Sequence, residues 1–340
     1  PLASVTVPRF HLDMPSSNIT SITEFVVLGF PGLQPGYNGP VSALMFFVFL
    51  AIIAGNSFIL ILVSKERCLQ KPSYLIYCNL AISDIAFATT TLPKMIARYW
   101  AEAKTVSFTA CFLQMFLVHF LGSVNSVLLM IMALDRYVAI CNPLRYHVFI
   151  KNSTILALCG LAWLICLFLM ALLVYQAVSL PYCSSNVIVQ CYCDHIGITR
   201  LACENVKEVQ LTAFIVAMTI LLCPLAFIIF SYISIIISVF KIADSEGRYK
   251  TFSTCSPQLF IIGLYYLPRC FVYIANNINL TISTDFRILM IMLYSLFPPM
   301  VNPLIYCFRT KEIKDTLVRR WKIRKVGTVA GIPVKFWIRK

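Results

Sequence analysis

The residues of this chain with the most chemistry to offer are charged side chains stranded in apolar surroundings. Asp84 is the one charge in the run Ser73–Leu92, Arg269 is the one charge in Thr251–Ile278, and Asp135-Arg136-Tyr137 closes the uncharged run Phe108–Leu134. A carboxylate or guanidinium kept from water must pair, meet a ligand or exchange partners, because an isolated charge in hydrocarbon is costly. A second chemistry lies between residues 183 and 203, where Cys183, Cys191, Cys193 and Cys203 accompany Asp194 and His195. Such thiols and imidazoles bind borderline metals, or, in an oxidising compartment, pair into disulfides with Cys111. If Cys193 and its neighbours pair, only Cys191 and His195 remain as easy ligands, so neither a metal nor another cofactor is expected. Catalysis is not expected either: the chain has no Gly-rich phosphate loop, no zinc helix motif and no Ser-His-Asp constellation in one plausible site.

The elements that must hold these charges follow from composition. Of 340 residues, 59% are hydrophobic and 12% charged, and the mean hydropathy is +0.82. That balance excludes a soluble domain with a solvated surface. Seven runs are long enough to cross a bilayer as helices: Val41–Val63, Ser73–Leu92, Phe108–Leu134, Ser153–Leu180, Val209–Phe240, Thr251–Ile278 and Ile288–Phe308. They are continuous rather than alternating, which predicts an all-α seven-helix membrane bundle and not a barrel. The net charge of +14 concentrates in one set of connections, at Lys65, Arg67, Lys71, Arg145, Lys151 and in a basic stretch after residue 308. That side is expected to be cytoplasmic, with the C-terminus inside and the N-terminus outside. Basic residues spread over short juxtamembrane loops favour anionic lipid and a cytoplasmic partner over nucleic acid. The expected organisation is an extracellular segment 1–40, a transmembrane domain 41–308, an amphipathic juxtamembrane helix 309–325 and a cytoplasmic tail 326–340. Asn18-Ile-Thr20 is a glycosylation sequon on the expected outer side.

Met132-Ala-Leu-Asp-Arg-Tyr-Val-Ala-Ile-Cys-Asn-Pro-Leu-Arg-Tyr146 resembles the end of the third helix in odorant receptors, a branch of the rhodopsin-like G-protein-coupled receptors. Further phrases resemble the same branch: Ser231-Tyr232, Arg248-Tyr-Lys-Thr-Phe-Ser-Thr-Cys-Ser-Pro-Gln258, Tyr265-Tyr266-Leu267-Pro268 and Pro298-Pro-Met-Val-Asn302-Pro303-Leu-Ile-Tyr306. Cys193 to Cys203 resembles the second outer loop of the class I, fish-like odorant receptors. This resemblance implies disulfides Cys111–Cys193 and Cys183–Cys203, with Cys191 left over. It implies a polar core in which Asp84 has Asn56, Asn125 and Asn302 as partners. In many rhodopsin-like receptors the matching acid holds sodium or water, whereas many odorant receptors carry a second acid where Asn125 stands here. It also implies an activation switch made of Asp135, Arg136, Tyr137, Tyr232, Tyr266, Asn302 and Tyr306. Many related receptors clamp the third-helix arginine with an acid near position 248. Arg248 would repel Arg136, which leaves the resting latch to Asp135 and other contacts.

Helical spacing places Met115, Val118, His119, Gly122 and Ser123 on adjoining faces of the third run, opposite Arg269, Cys270 and Tyr273 just beyond Pro268 in the sixth. These residues are expected to line a ligand cavity in which Arg269 anchors an anionic group of a small, water-borne odorant and His119 is a second polar contact. Val118 stands where amine receptors place their aspartate, which argues against an amine held that way. By resemblance the partner is a heterotrimeric G protein of the olfactory stimulatory type, and the location is the plasma membrane of olfactory sensory cilia. The alternatives are a non-olfactory rhodopsin-like receptor for a lipid or peptide and, less favoured, a transporter or channel. Against transport stand the absence of inverted repeats and of a ring of coordinating groups.

Overall fold

A computed structural model of the chain describes residues 22–183, 185–203, 206–241, 245–277, 280, 282–309, 312–316 and 318–319. Asn18 and the tail beyond 319 lie outside the described residues. Seven long helices run through those residues: α1 (Asn38–Lys65), α2 (Pro72–Trp100), α3 (Phe108–Cys141), α4 (Asn152–Val178), α5 (Lys207–Phe240), α6 (Ser245–Asn277) and α7 (Thr284–Arg309). Each corresponds to one of the seven apolar runs, whole in five of them and to within two residues of the run's end in α4 and α6. Six are long and apolar enough to cross a membrane, and α6 carries a shorter apolar stretch, Gln258–Val272.

The all-α bundle is therefore as the sequence leads one to expect, but several helices overrun their apolar stretches. α2 continues through Pro93 to Trp100, about two turns past Leu92. Its charged Lys94 and Arg98 lie beyond the apolar run, where the helix meets other chain segments. α1 packs on α2 and α7, α3 packs on α2, α4 and α5, and α6 packs on α7. Phe47, Leu161, Phe168, Phe230 and Leu267 remain exposed on the outside of the bundle. Large apolar side chains facing outward on many helices suit a lipid solvent and would aggregate in water. Inside, a polar pair joins two helices: Trp163 Nε1 of α4 donates to Asn79 Oδ1 of α2 at 3.1 Å, with its ring against Phe120.

One end of the bundle is closed by a three-stranded sheet. β1 (Glu24–Val27) lies between β2 (Thr105–Ser107), antiparallel, and β3 (Val187–Ile188), parallel, in the register Phe25 opposite Val106 and Val26 opposite Val187. Phe25 is fully buried among Phe108, Phe112 and Tyr182. Beyond β1 the chain is held by α2 and α7. Arg98 donates to the Val27 and Leu28 carbonyls, the Tyr99 hydroxyl accepts from the Phe30 amide at 2.9 Å, and Asp285 accepts from the Gly32 amide. Gly29 has φ +73°, and a Cβ there would fall on the Tyr99 hydroxyl, so this crossing needs glycine on both counts.

Candidate functional site

Beneath the sheet lies a cavity of about 520 Å³ bounded by α3 to α7 and the 190–200 loop. Its two sides differ in chemistry. α4 and α5 present mainly carbon, through Met170, Leu173, Leu211, Phe214, Ala217 and Ile220, whereas Arg269, Arg287, Arg200, Asp194, His119 and His195 come from α6, α7, α3 and the loop. Three arginines stand against one carboxylate there, and a pocket of this size and asymmetry suits an amphipathic small molecule with an anionic end.

Disulfides fix the loop. Cys111 at the start of α3 is joined to Cys193, with Cα atoms 5.4 Å apart, and Cys183 is joined to Cys203 across 5.8 Å. The Gln114 side chain accepts from the Cys193 amide at 3.0 Å. Asp194 then caps a one-turn helix, His195–Thr199, by accepting from the Gly197 amide at 3.1 Å. Burial raises the Asp194 carboxyl to about 6, against the opposing pull of the Gly197 N–H, Arg287 and Arg200. His195 is buried, neither ring nitrogen has a hydrogen-bond partner, and burial lowers it to about 4, so the imidazole is neutral at physiological pH. Its backbone amide donates to His119 Nε2 at 3.3 Å. Cys191 is a free, buried thiol whose pKa burial pushes up to about 12. Among the described residues, no three His, Cys, Asp or Glu side chains converge as a metal would require.

Of the expected ligand contacts, Val118, His119, Ser123 and Arg269 line the cavity. Met115 does not: the loop drawn in by the Cys111–Cys193 bridge covers it, and it packs with Phe112 and Cys193. Cys270 packs against the apolar core instead, and the Tyr273 side chain lies outside the described residues. Gly122 borders a second, smaller chamber, and a Cβ on it would come within 3.2 Å of Arg269 Nη2.

Two residues the sequence did not single out hold Arg269. Its guanidinium lies 4.8 Å from the Tyr265 ring centroid and 4.9 Å from that of Tyr294, and Nη1 donates to the Tyr265 hydroxyl at 2.5 Å. Tyr265 in turn donates to the Gly122 carbonyl of α3. Two aromatic rings within cation–π distance stabilise a part-buried cation and restrict the orientation of its donors. A tyrosine in an apolar run reads as packing; the family phrase before Pro268 includes Tyr265 without giving it this role, and its one signal of contact is its position one helical turn from Arg269.

Arg269 also borders the small chamber, which has a volume of about 20 Å³ and contains Asp84, Asn125 and Asn302. That is room for about one water-sized group. Asp84 accepts from Asn125 Nδ2 at 3.1 Å and from Asn302 Nδ2 at 2.9 Å. Asn56 does not reach it and donates to the Ile52 and Pro299 carbonyls. The outer cavity and the polar core thus share one guanidinium.

At the opposite end, Asp135 and Arg136 make their hydrogen bonds to different partners. The Asp135 carboxylate accepts from Ser73 and Tyr146, both at 2.8 Å, while Arg136 Nη2 donates to the Tyr77 hydroxyl at 2.7 Å. Tyr146 and Ser73 sit on the connection after α3 and the first turn of α2, so the acid ties its own helix to its neighbours. Tyr232 and Tyr306 are buried nearby with unpartnered hydroxyls. Tyr137 lies by Phe230, and Tyr266 pairs with Ser126 at 2.8 Å.

Comparison with known proteins agrees with this geometry. The olfactory receptor family model matches residues 45–323. The chain is 36% identical to olfactory receptor 2AT4 of Homo sapiens over 295 residues, covering 87% of this chain and 92% of that one. It is 36% identical to olfactory receptor 52K1 of Homo sapiens over 301 residues, covering 88% and 96%. To olfactory receptor 1E16 of Mus musculus it is 33% identical over 313 residues, covering 92% and 99%.

Proposed function

Because the chain belongs to the olfactory receptor family and is a multi-pass, odorant-sensing G-protein-coupled receptor, we propose that its ligand is a small, water-soluble odorant bearing an anionic group. The observation that carries this reading is the guanidinium of Arg269, held beside the Tyr265 and Tyr294 rings on the polar wall of a cavity whose α4 and α5 side is mainly carbon. The anion sits on Arg269 and the carbon skeleton lies against α4 and α5. His119, already accepting from the loop backbone, orients the loop more than it binds ligand.

Drawing Arg269 toward an anion loosens its hold on Tyr265 and, through Tyr265, on α3. Pro268 precedes Arg269 in α6, and a proline hinge converts a small shift near the pocket into a larger one at the far end. The far end holds Arg136, which then engages a stimulatory heterotrimeric G protein. In this reading the sheet end is extracellular, Asn18 is glycosylated and the receptor is of the class I branch. It lies in the plasma membrane, with olfactory cilia as its site of action. The segment after α7 is taken as a juxtamembrane helix at the cytoplasmic end; of it, buried Ile313 and Glu312, held between Lys71 and Tyr74, tie residues 312–316 to the α2 end of the bundle.

The test is a panel of carboxylic acids, their methyl esters and matched amines applied to the expressed receptor, with cyclic AMP as readout. Responses to acids above those to esters support the reading. Equal or better responses to esters and amines, in a receptor that signals, overturn the anionic ligand.

A further inference from the structure

We propose that the Tyr77 hydroxyl is the resting latch on Arg136, taking the place of an acidic clamp. The proposal rests on the reading above, in which the Arg136 end couples to a G protein. A guanidinium does not lose its proton, so when buried it must find an acceptor. Asp135 is occupied by Ser73 and Tyr146, and position 248 on α6 holds an arginine. Tyr77 supplies the acceptor at 2.7 Å from Nη2, and its side chain is 5% exposed.

The same ring gives the latch its connection to the rest of the bundle. Tyr77 lies flat on Tyr306 of α7, with centroids 4.1 Å apart and planes 12° from parallel, and Tyr74 meets it edge-on at 5.7 Å. Tyr74 donates to Glu312, just past α7. One aromatic stack thus ties α2, α3, α7 and the segment after α7 to a single hydrogen bond. Movement of α7 past α2 slides Tyr306 off Tyr77 and disturbs that bond.

The acceptor that the family resemblance implies for the active state stands nearby, so the new element here is Tyr77 alone. Tyr232 of α5 is buried in the same core cluster with its hydroxyl unpartnered. A buried hydroxyl without a partner is unfavourable, and a hydrogen bond from Arg136 would satisfy it. The exchange of Arg136 from Tyr77 to Tyr232 therefore moves the guanidinium from the α2 side of the bundle to the α5 side. Two states that differ by one hydrogen bond are close in free energy, as a ligand-driven switch requires.

The experiment uses the purified receptor in lipid nanodiscs and measures nucleotide exchange on the stimulatory G protein per mole of receptor, without ligand and with an activating acid. Tyr77→Phe keeps the ring on Tyr306 and removes the hydroxyl, and Tyr77→Leu removes both, so either variant that folds suffices. Ligand-free exchange should rise by at least about tenfold in each, the equivalent of about 1.4 kcal/mol, because a hydrogen bond to a charged group is lost. Adding Tyr232→Phe to Tyr77→Phe should bring ligand-free exchange back down, because the second acceptor is then gone. A merely structural tyrosine would lower melting temperature and yield without raising basal exchange. Variants that exchange no faster than wild type without ligand, yet still respond to ligand, overturn the latch and leave the receptor function standing. A wild-type receptor that drives no exchange with any ligand or G protein overturns the functional reading and the latch together.

Discussion

Replacing Arg269 is the sharpest probe of the outer cavity, and the structure sets the size of the effect. Arg269→Gln removes the charge but keeps a polar side chain. A hydrogen bond to a charged group is worth about 1.5–3 kcal/mol, so the potency of an acid ligand should fall roughly 10- to 150-fold. Arg269→Lys keeps the charge but gives up the planar guanidinium beside Tyr265 and Tyr294, so its loss should be intermediate, on the order of tenfold. The assay is a cyclic AMP dose-response curve for an acid and its methyl ester at matched surface density. The ester should lose little with either variant, since it has no anion to lose. If the potency of the acid in Arg269→Gln stays within about twofold of wild type, Arg269 is not the anchor. If acid and ester fall equally, Arg269 supports the fold and does not read the ligand.

Three further outcomes follow from the described contacts. Phe25→Ala empties a fully buried site among three aromatic rings and should destabilise the receptor by about 3–5 kcal/mol, read as a drop in melting temperature; an unchanged melt would mean β1 does not pack as described. Lys71→Ala breaks a pair that is about half exposed on both sides and should change stability by only ~0–1 kcal/mol. The loop gives a pH signature. Burial lowers His195 from 6.5 to about 4, so its support for the fold is complete above 6.5 and is lost as pH falls through about 4. Burial raises Asp194 from 3.8 to about 6, so its contribution runs the other way: complete below 3.8 and lost as pH rises through about 6. The two oppose each other between pH 4 and 6, and wild-type melting should be nearly flat there. Asp194→Asn keeps a cap for Gly197 but removes the opposing contribution, so its melting temperature should fall as pH drops from 6.5 to 4.

The bundle was legible because apolar runs long enough to cross a membrane leave few alternatives, and because Asp84 could satisfy its charge only inward. The Asn125 and Asn302 contacts with Asp84 were implied by the family resemblance and not by that constraint. The sheet was not legible. β1 is a four-residue strand in a polar segment, and its partners are about 80 and 160 positions away, beyond the reach of any local period. Nor were Tyr77, Tyr265 and Tyr294. Each lies among apolar neighbours on a helix, and only the packed bundle shows its ring or hydroxyl meeting an arginine. Met115 shares its helix face with Val118 and His119, yet the disulfide-bound loop covers it, and helix spacing has no means of registering a loop.

The placement of β1 also has a consequence for biosynthesis. Val26 pairs with Val187, so the first strand emerges from the ribosome well before its partner exists. At about 5–20 residues per second, the interval is roughly 8–32 s, during which a short hydrophobic edge waits without its partner. That edge is a natural recognition mark for folding assistants. A cell lacking them would be expected to hold this receptor back from its surface even when every transmembrane helix has inserted correctly.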